Sequence, residues 1–90
     1  MPRFRKLPVE IDAELCSDLM DLAKDDWYRL PPWVRKNYEC GNILFLPNGL
    51  SIETKEGQMH ANPDDYLLQG VAGEVYPCKP DIFSQTHEAV

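Results

Sequence analysis

The chain has 90 residues, of which 43% are hydrophobic and 27% charged, and a formal net charge of −6. That length holds one domain, 1–90, which buries about two-thirds of its unfolded surface around a small core. The balance excludes a disordered chain, and the acidity argues against conventional DNA or RNA binding because carboxylates repel phosphates.

The charge is unevenly placed. Three of the nine bases are Arg3, Arg5 and Lys6, so from residue 7 onward six bases face 15 acids, a balance of −9. No apolar stretch follows the basic start, and the longest apolar run is Ile43-Leu44-Phe45-Leu46. This predicts neither a secretory leader nor a membrane span, and hence a cytoplasmic protein. Cys16, Cys40 and Cys78 are odd in number and widely spaced, which argues against a disulfide framework. They form no close-spaced ligand pair, so no metal or other cofactor is expected, and the thiols read as small buried hydrophobes.

In chain order, Leu7–Ala13 alternates Val9, Ile11 and Ala13 with Glu10 and Asp12, the period of a half-buried strand. Pro8 near its start suggests an edge. From Ala13 the period becomes helical: Leu15, Cys16, Leu19, Met20, Leu22 and Ala23 share a face. This predicts an amphipathic helix over 13–25 with Asp12 as its N-cap. Asp18, Asp21 and Asp25 fall on its polar side. They are either a solvated face or a surface for a basic partner.

The prolines at 31 and 32 end what precedes them, and Pro32 can open a second helix over 32–40, closed by Gly41. Trp27, Tyr28, Trp33 and Tyr38 crowd this stretch. They serve either as the thick part of a small core or as a contact surface for a partner or a flat ligand ring. Arg35 and Lys36, with Lys55 and Lys79, are the bases available to a phosphate ligand.

Asn48-Gly49 between two apolar runs predicts a hairpin in which both residues take positive φ. That turn sets Phe45 opposite Ile52 and Ile43 opposite Thr54. A second turn at Glu56-Gly57 returns the chain through Gln58–Ala61 and completes a meander, with His60 opposite Glu53. Asn62–Asp65 is a turn by composition. Tyr66–Val71 then reads as a buried strand, Ala72-Gly73 as a turn and Glu74–Pro77 as the returning strand. Gly70, Gly73, Tyr76, Pro77, Cys78, Pro80, Asp81 and Phe83 are architectural residues on this reading, as are Asn48 and Gly49. Residues 79–83 form a corner or a single helical turn capped by Asp81, and 86–90 a last strand.

No phosphate-binding glycine loop, nucleophile elbow or His-Glu-x-x-His pair is present. Cys78 is the one nucleophile to test, with Lys79 beside it and His60 or His87 as base. The expectation is nevertheless a protein without catalytic residues.

Residues 52–90, above all the run Gly70-Val71-Ala72-Gly73-Glu74-Val75-Tyr76-Pro77-Cys78-Lys79-Pro80-Asp81-Ile82-Phe83, resemble a group of small uncharacterised proteins of tailed bacteriophages and prophages. Asp64 stands where that group commonly has a turn glycine, and His87 where it commonly has a tyrosine. The resemblance implies phage origin and an α+β architecture, and it carries no known activity.

The combined expectation is a small α+β domain: two short helices on one side of an antiparallel sheet, or partial barrel, of five to seven short strands. It would bind a host protein by occupancy, for example a defence component. The alternatives are an oligomeric sponge for a nucleotide or other small ligand and, more remotely, a cysteine enzyme. A homo-oligomer is compatible with the first two.

Overall fold

A computed structural model describes residues 11–86. They form six strands in two antiparallel three-stranded sheets, with three α-helices, so the fold is α+β. The chain runs β1 (Asp12–Leu15), α1 (Cys16–Asp25), a 3₁₀ turn (Trp27–Arg29), α2 (Pro32–Glu39), β2 (Ile43–Leu46), β3 (Gly49–Thr54), β4 (Gly57–Ala61), β5 (Tyr66–Gln69), β6 (Val75–Cys78) and α3 (Pro80–Thr86).

The strands divide rather than closing into one sheet. β2-β3-β4 is a meander of adjacent segments, while β1-β5-β6 joins residue 12 to residue 69. The first strand is therefore later than the alternation predicts, and residues 7–10 of that expectation lie outside the described residues. Pairing with Tyr66–Gln69 keeps residues 12–15 extended, so the helix starts at Cys16 and Asp12 is not its cap. Two carbonyls of the 62–65 turn take over that role. Ser17 N–H donates to Pro63 O at 2.8 Å and Cys16 N–H to Asp65 O at 2.9 Å. These satisfy donors that a helix start leaves without internal partners.

α2 follows the sequence reading closely. Pro32 occupies its first turn, and the C-terminus closes with Gly41 N–H on Tyr38 O and Asn42 N–H on Asn37 O. That double closure needs a left-handed residue, and Gly41 supplies it at φ +83°.

The hairpin forms where Asn48-Gly49 predicts, with a different register. The loop is Pro47-Asn48, so Leu46 pairs with Gly49, Phe45 with Leu50 and Ile43 with Ile52. Among the described residues only glycines take positive φ, so Asn48 does not. Gly49 lies in the strand at φ +149°, where an added Cβ would collide with the Ala61 carbonyl oxygen. The next loop is Lys55-Glu56, one residue earlier than predicted, and His60 faces Ser51 rather than Glu53.

β5 ends at Gln69, and Gly70–Gly73 turns the chain: Gly73 N–H reaches Gly70 O at 3.0 Å and Gly70 N–H reaches Glu74 O at 2.8 Å. The expected corner at 79–83 is a full helix, with Asp81 in its first turn rather than at a cap. Thr86 ends that helix, which leaves the predicted last strand without its first residue; 87–90 lie outside the described residues.

The core lies where the sheets face α1 and α2. Cys16 and Leu19 of α1 meet Val34, Ile43, Leu50, Ile52, Leu67 and Val75, all buried. Each large aliphatic side chain here contributes roughly 2 kcal/mol of burial. α3 lies against β5 through the stacked rings of Tyr66 and Phe83, 4.1 Å between centroids.

Candidate functional site

α1 turns its apolar stripe inward, so Asp18, Asp21 and Asp25 stand exposed on one side, and Lys24 is the only base within the helix. The negative field extends back into β1. The half-buried Glu14 carboxyl is held above the usual carboxylate range by burial first, then by Asp18 and Asp12.

The aromatics divide. Trp33 is half-buried and packs against the core. Trp27, also half-buried, meets Tyr38 edge-on at 4.9 Å and Phe45 at 6.0 Å, so three elements share one ring cluster. Tyr38 keeps 41% of its surface exposed, and Tyr28, which is 81% exposed, stands outside the ring cluster. Phe45 belongs to this cluster although the sequence reading assigned it only to the hairpin. A cleft of about 360 Å³ joins the two features: Asp21 and Lys24 of α1 form one wall, and Phe45, Leu46 and Pro47 the other. The acidic stripe thus reaches the ring cluster at one point, through Asp21 on one side of the cleft and Phe45 on the other.

A larger groove of about 490 Å³ opens between the β3–β4 hairpin and β6. Asn37 and Asn42 lie at one end, and Met59, Val75, Tyr76 and Pro77 supply apolar wall. Glu53, Glu56 and Glu74 face Lys55, the only base among its lining residues. Three carboxylates against one ammonium repel a phosphate ligand. The other bases proposed for such a ligand are elsewhere: Lys36 is exposed on α2, and Arg35 is half-buried with a buried Nε that has no hydrogen-bond partner among the described residues. Lys79 is tied to Asp65 Oδ2 at 3.0 Å. That bond, ahead of the surrounding acids, raises the ammonium's pKa further.

Asp65 is itself a structural centre. It is 2% exposed, accepts the Asn62 N–H at 2.9 Å as well as Lys79, and caps α1 with its carbonyl. Both neighbouring thiols feel it. Burial first, then Asp65 and Asp64, pushes Cys16 up to about 12. Burial, then Asp65 and Asp81, also raises Cys78, whose Sγ–H points to Lys79 O at 3.6 Å. A thiolate nucleophile needs the opposite environment. His60 is exposed on β4, and His87 lies outside the described residues. Among the described residues no group of three or more His, Cys, Asp or Glu side chains is placed to hold a metal ion. No described helix is long and apolar enough to cross a membrane.

No protein family matches the chain, and no curated protein or solved structure is detectably similar to it.

Proposed function

We propose that this protein is a non-catalytic binding protein that acts by occupying a basic surface of another protein. The observation that carries the reading is the cleft that sets Asp21, a member of the exposed Asp18–Asp21–Asp25 stripe, beside Phe45, a member of the Trp27–Tyr38–Phe45 ring cluster. An aromatic patch beside a charged rim is the composition of a protein-recognition surface: rings supply contact area, and charge supplies steering and register. The resemblance of residues 52–90 to small tailed-phage proteins favours a bacterial host protein as the target, with a defence component as the specific kind, and a cytoplasmic site of action.

The test compares affinity capture from bacterial lysate by the wild-type chain, the triple variant Asp18→Asn, Asp21→Asn, Asp25→Asn, and Tyr38→Ala, which truncates the exposed ring of the cluster. A basic protein retained by the wild type and lost by both variants is the expected result. Equal recovery by all three would remove this face from the function.

A further inference from the structure

The hydrogen-bond parity of the meander leaves one sheet edge open. Glu53 N–H donates to Asn42 O at 2.9 Å, on the β2 side of β3. Backbone groups alternate sides along an antiparallel strand. Glu53 and Ser51 therefore bond toward β2, and Thr54, Ile52 and Leu50 toward β4. Their partners on β4 are Gly57, Met59 and Ala61, so Gln58 and His60 turn N–H and C=O away from the sheet. Both residues are exposed, and no further strand among the described residues pairs with that edge.

The other edges are better protected. β1 carries the charged side chains Asp12 and Glu14, β2 contacts α2, and β6 carries Pro77, which has no N–H to offer. β4, Gly57-Gln58-Met59-His60-Ala61, has neither proline nor a charged side chain, the two commonest guards of a sheet edge. In a chain of net charge −6 it is an uncharged strip.

We propose that β4 is the contact strand of a homodimer, pairing antiparallel with β4 of a second copy across a two-fold axis at Met59. In that register Gln58 of each copy faces His60 of the other. Their outward backbone groups form two reciprocal pairs and join the meanders into one six-stranded sheet. Met59, 41% exposed, meets its own copy and is covered. On the opposite sheet face Gln58 Nε2 is already used on Ser51 Oγ at 2.6 Å, which leaves the amide oxygen to accept from the facing imidazole. A sequence that is uncharged and matches itself in this register suits a second copy better than an acidic or basic strand. Closed two-fold pairing is also a common way for a small domain to gain buried area. The proposal is independent of the α1 face.

Sedimentation equilibrium of the full chain from about 10 µM to about 1 mM spans the weak-dimer range expected for so small an interface. The mass should rise from 10.4 kDa toward twice that value. Met59→Lys and Met59→Glu place like charges on the axis, and each should remain monomeric with an unchanged circular dichroism spectrum. Mixed in equal amounts they should recover the dimer, because opposite charges then face each other. A wild-type chain that stays monomeric throughout overturns the proposal. So does a dimer that survives in both variants, or a mixture that fails to associate.

Discussion

The two sheets contain the same number of strands and are built by opposite means. β2-β3-β4 uses residues 43–61 and two short loops, so every pairing is local. β1-β5-β6 reaches from Asp12 to Gln69, and its closure must bring together segments separated by most of the chain. Local pairing is entropically inexpensive and needs little support beyond turn chemistry. Long-range pairing needs a clasp, and Asp65 provides one by engaging α1, the 62–65 turn and Lys79 together. One sheet is thus specified by its turns and the other by a buried polar junction.

The difference can be broken from either side. The largest expected effect is at Leu67, the fully buried central residue of the long-range sheet. Leu67→Ala should cost about 3 kcal/mol in urea unfolding, through lost burial and the cavity left behind. Gly49→Ala attacks the local sheet. Its Cβ would collide with the Ala61 carbonyl at a φ that side chains avoid, so a loss of about 2 kcal/mol is expected in the same measurement.

Asp65→Ala removes the clasp while leaving the apolar core intact. A loss of about 1–2 kcal/mol is expected from its hydrogen bonds. Cys16 should become easier to alkylate at mildly alkaline pH, because the start of α1 loosens around a thiol now held protonated up to about 12. Alkylation mass spectrometry reads this directly; an unchanged Cys16 rate would mean that the carbonyl caps suffice without the carboxylate.

The smallest effect concerns Glu14. Its folded pKa lies above the ordinary value of 4.5, so ionisation costs the fold stability as pH rises through that interval. Glu14→Gln should therefore stabilise slightly at neutral pH, and the advantage should disappear as pH falls below 4.5. Thermal melts at pH 7 and pH 4 compare the two conditions.

The same division governs what was legible in the sequence. The meander was visible because Asn48-Gly49 and Gly57 punctuate apolar runs. Its register was misplaced because Pro47 ends β2 early and Gly49 enters β3 beneath the Ala61 carbonyl, a tertiary contact no dipeptide rule contains. α1 was visible from its 3.6-residue period, but its first residue was fixed by the pairing of Leu15 with the distant Tyr66. Asp18, Asp21 and Asp25 were predictable as an exposed stripe. Phe45 packs against the core as an apolar strand residue should, and only the position of Trp27 and Tyr38 shows that it also joins the ring cluster. The groove between the hairpin and β6 had no sequence signature, since its lining is gathered from residues 37 to 77.

The order of synthesis acquires meaning from the β1–β5 ladder. A ribosome delivers residues 12–15 before their hydrogen-bonding mates 66–69, so the opening strand waits unpaired while everything between them is made. A product truncated after Ala61 would own a complete meander yet leave the apolar side of α1 without Leu67 and Val75. Such an incomplete chain exposes the kind of surface that chaperones and proteases recognise.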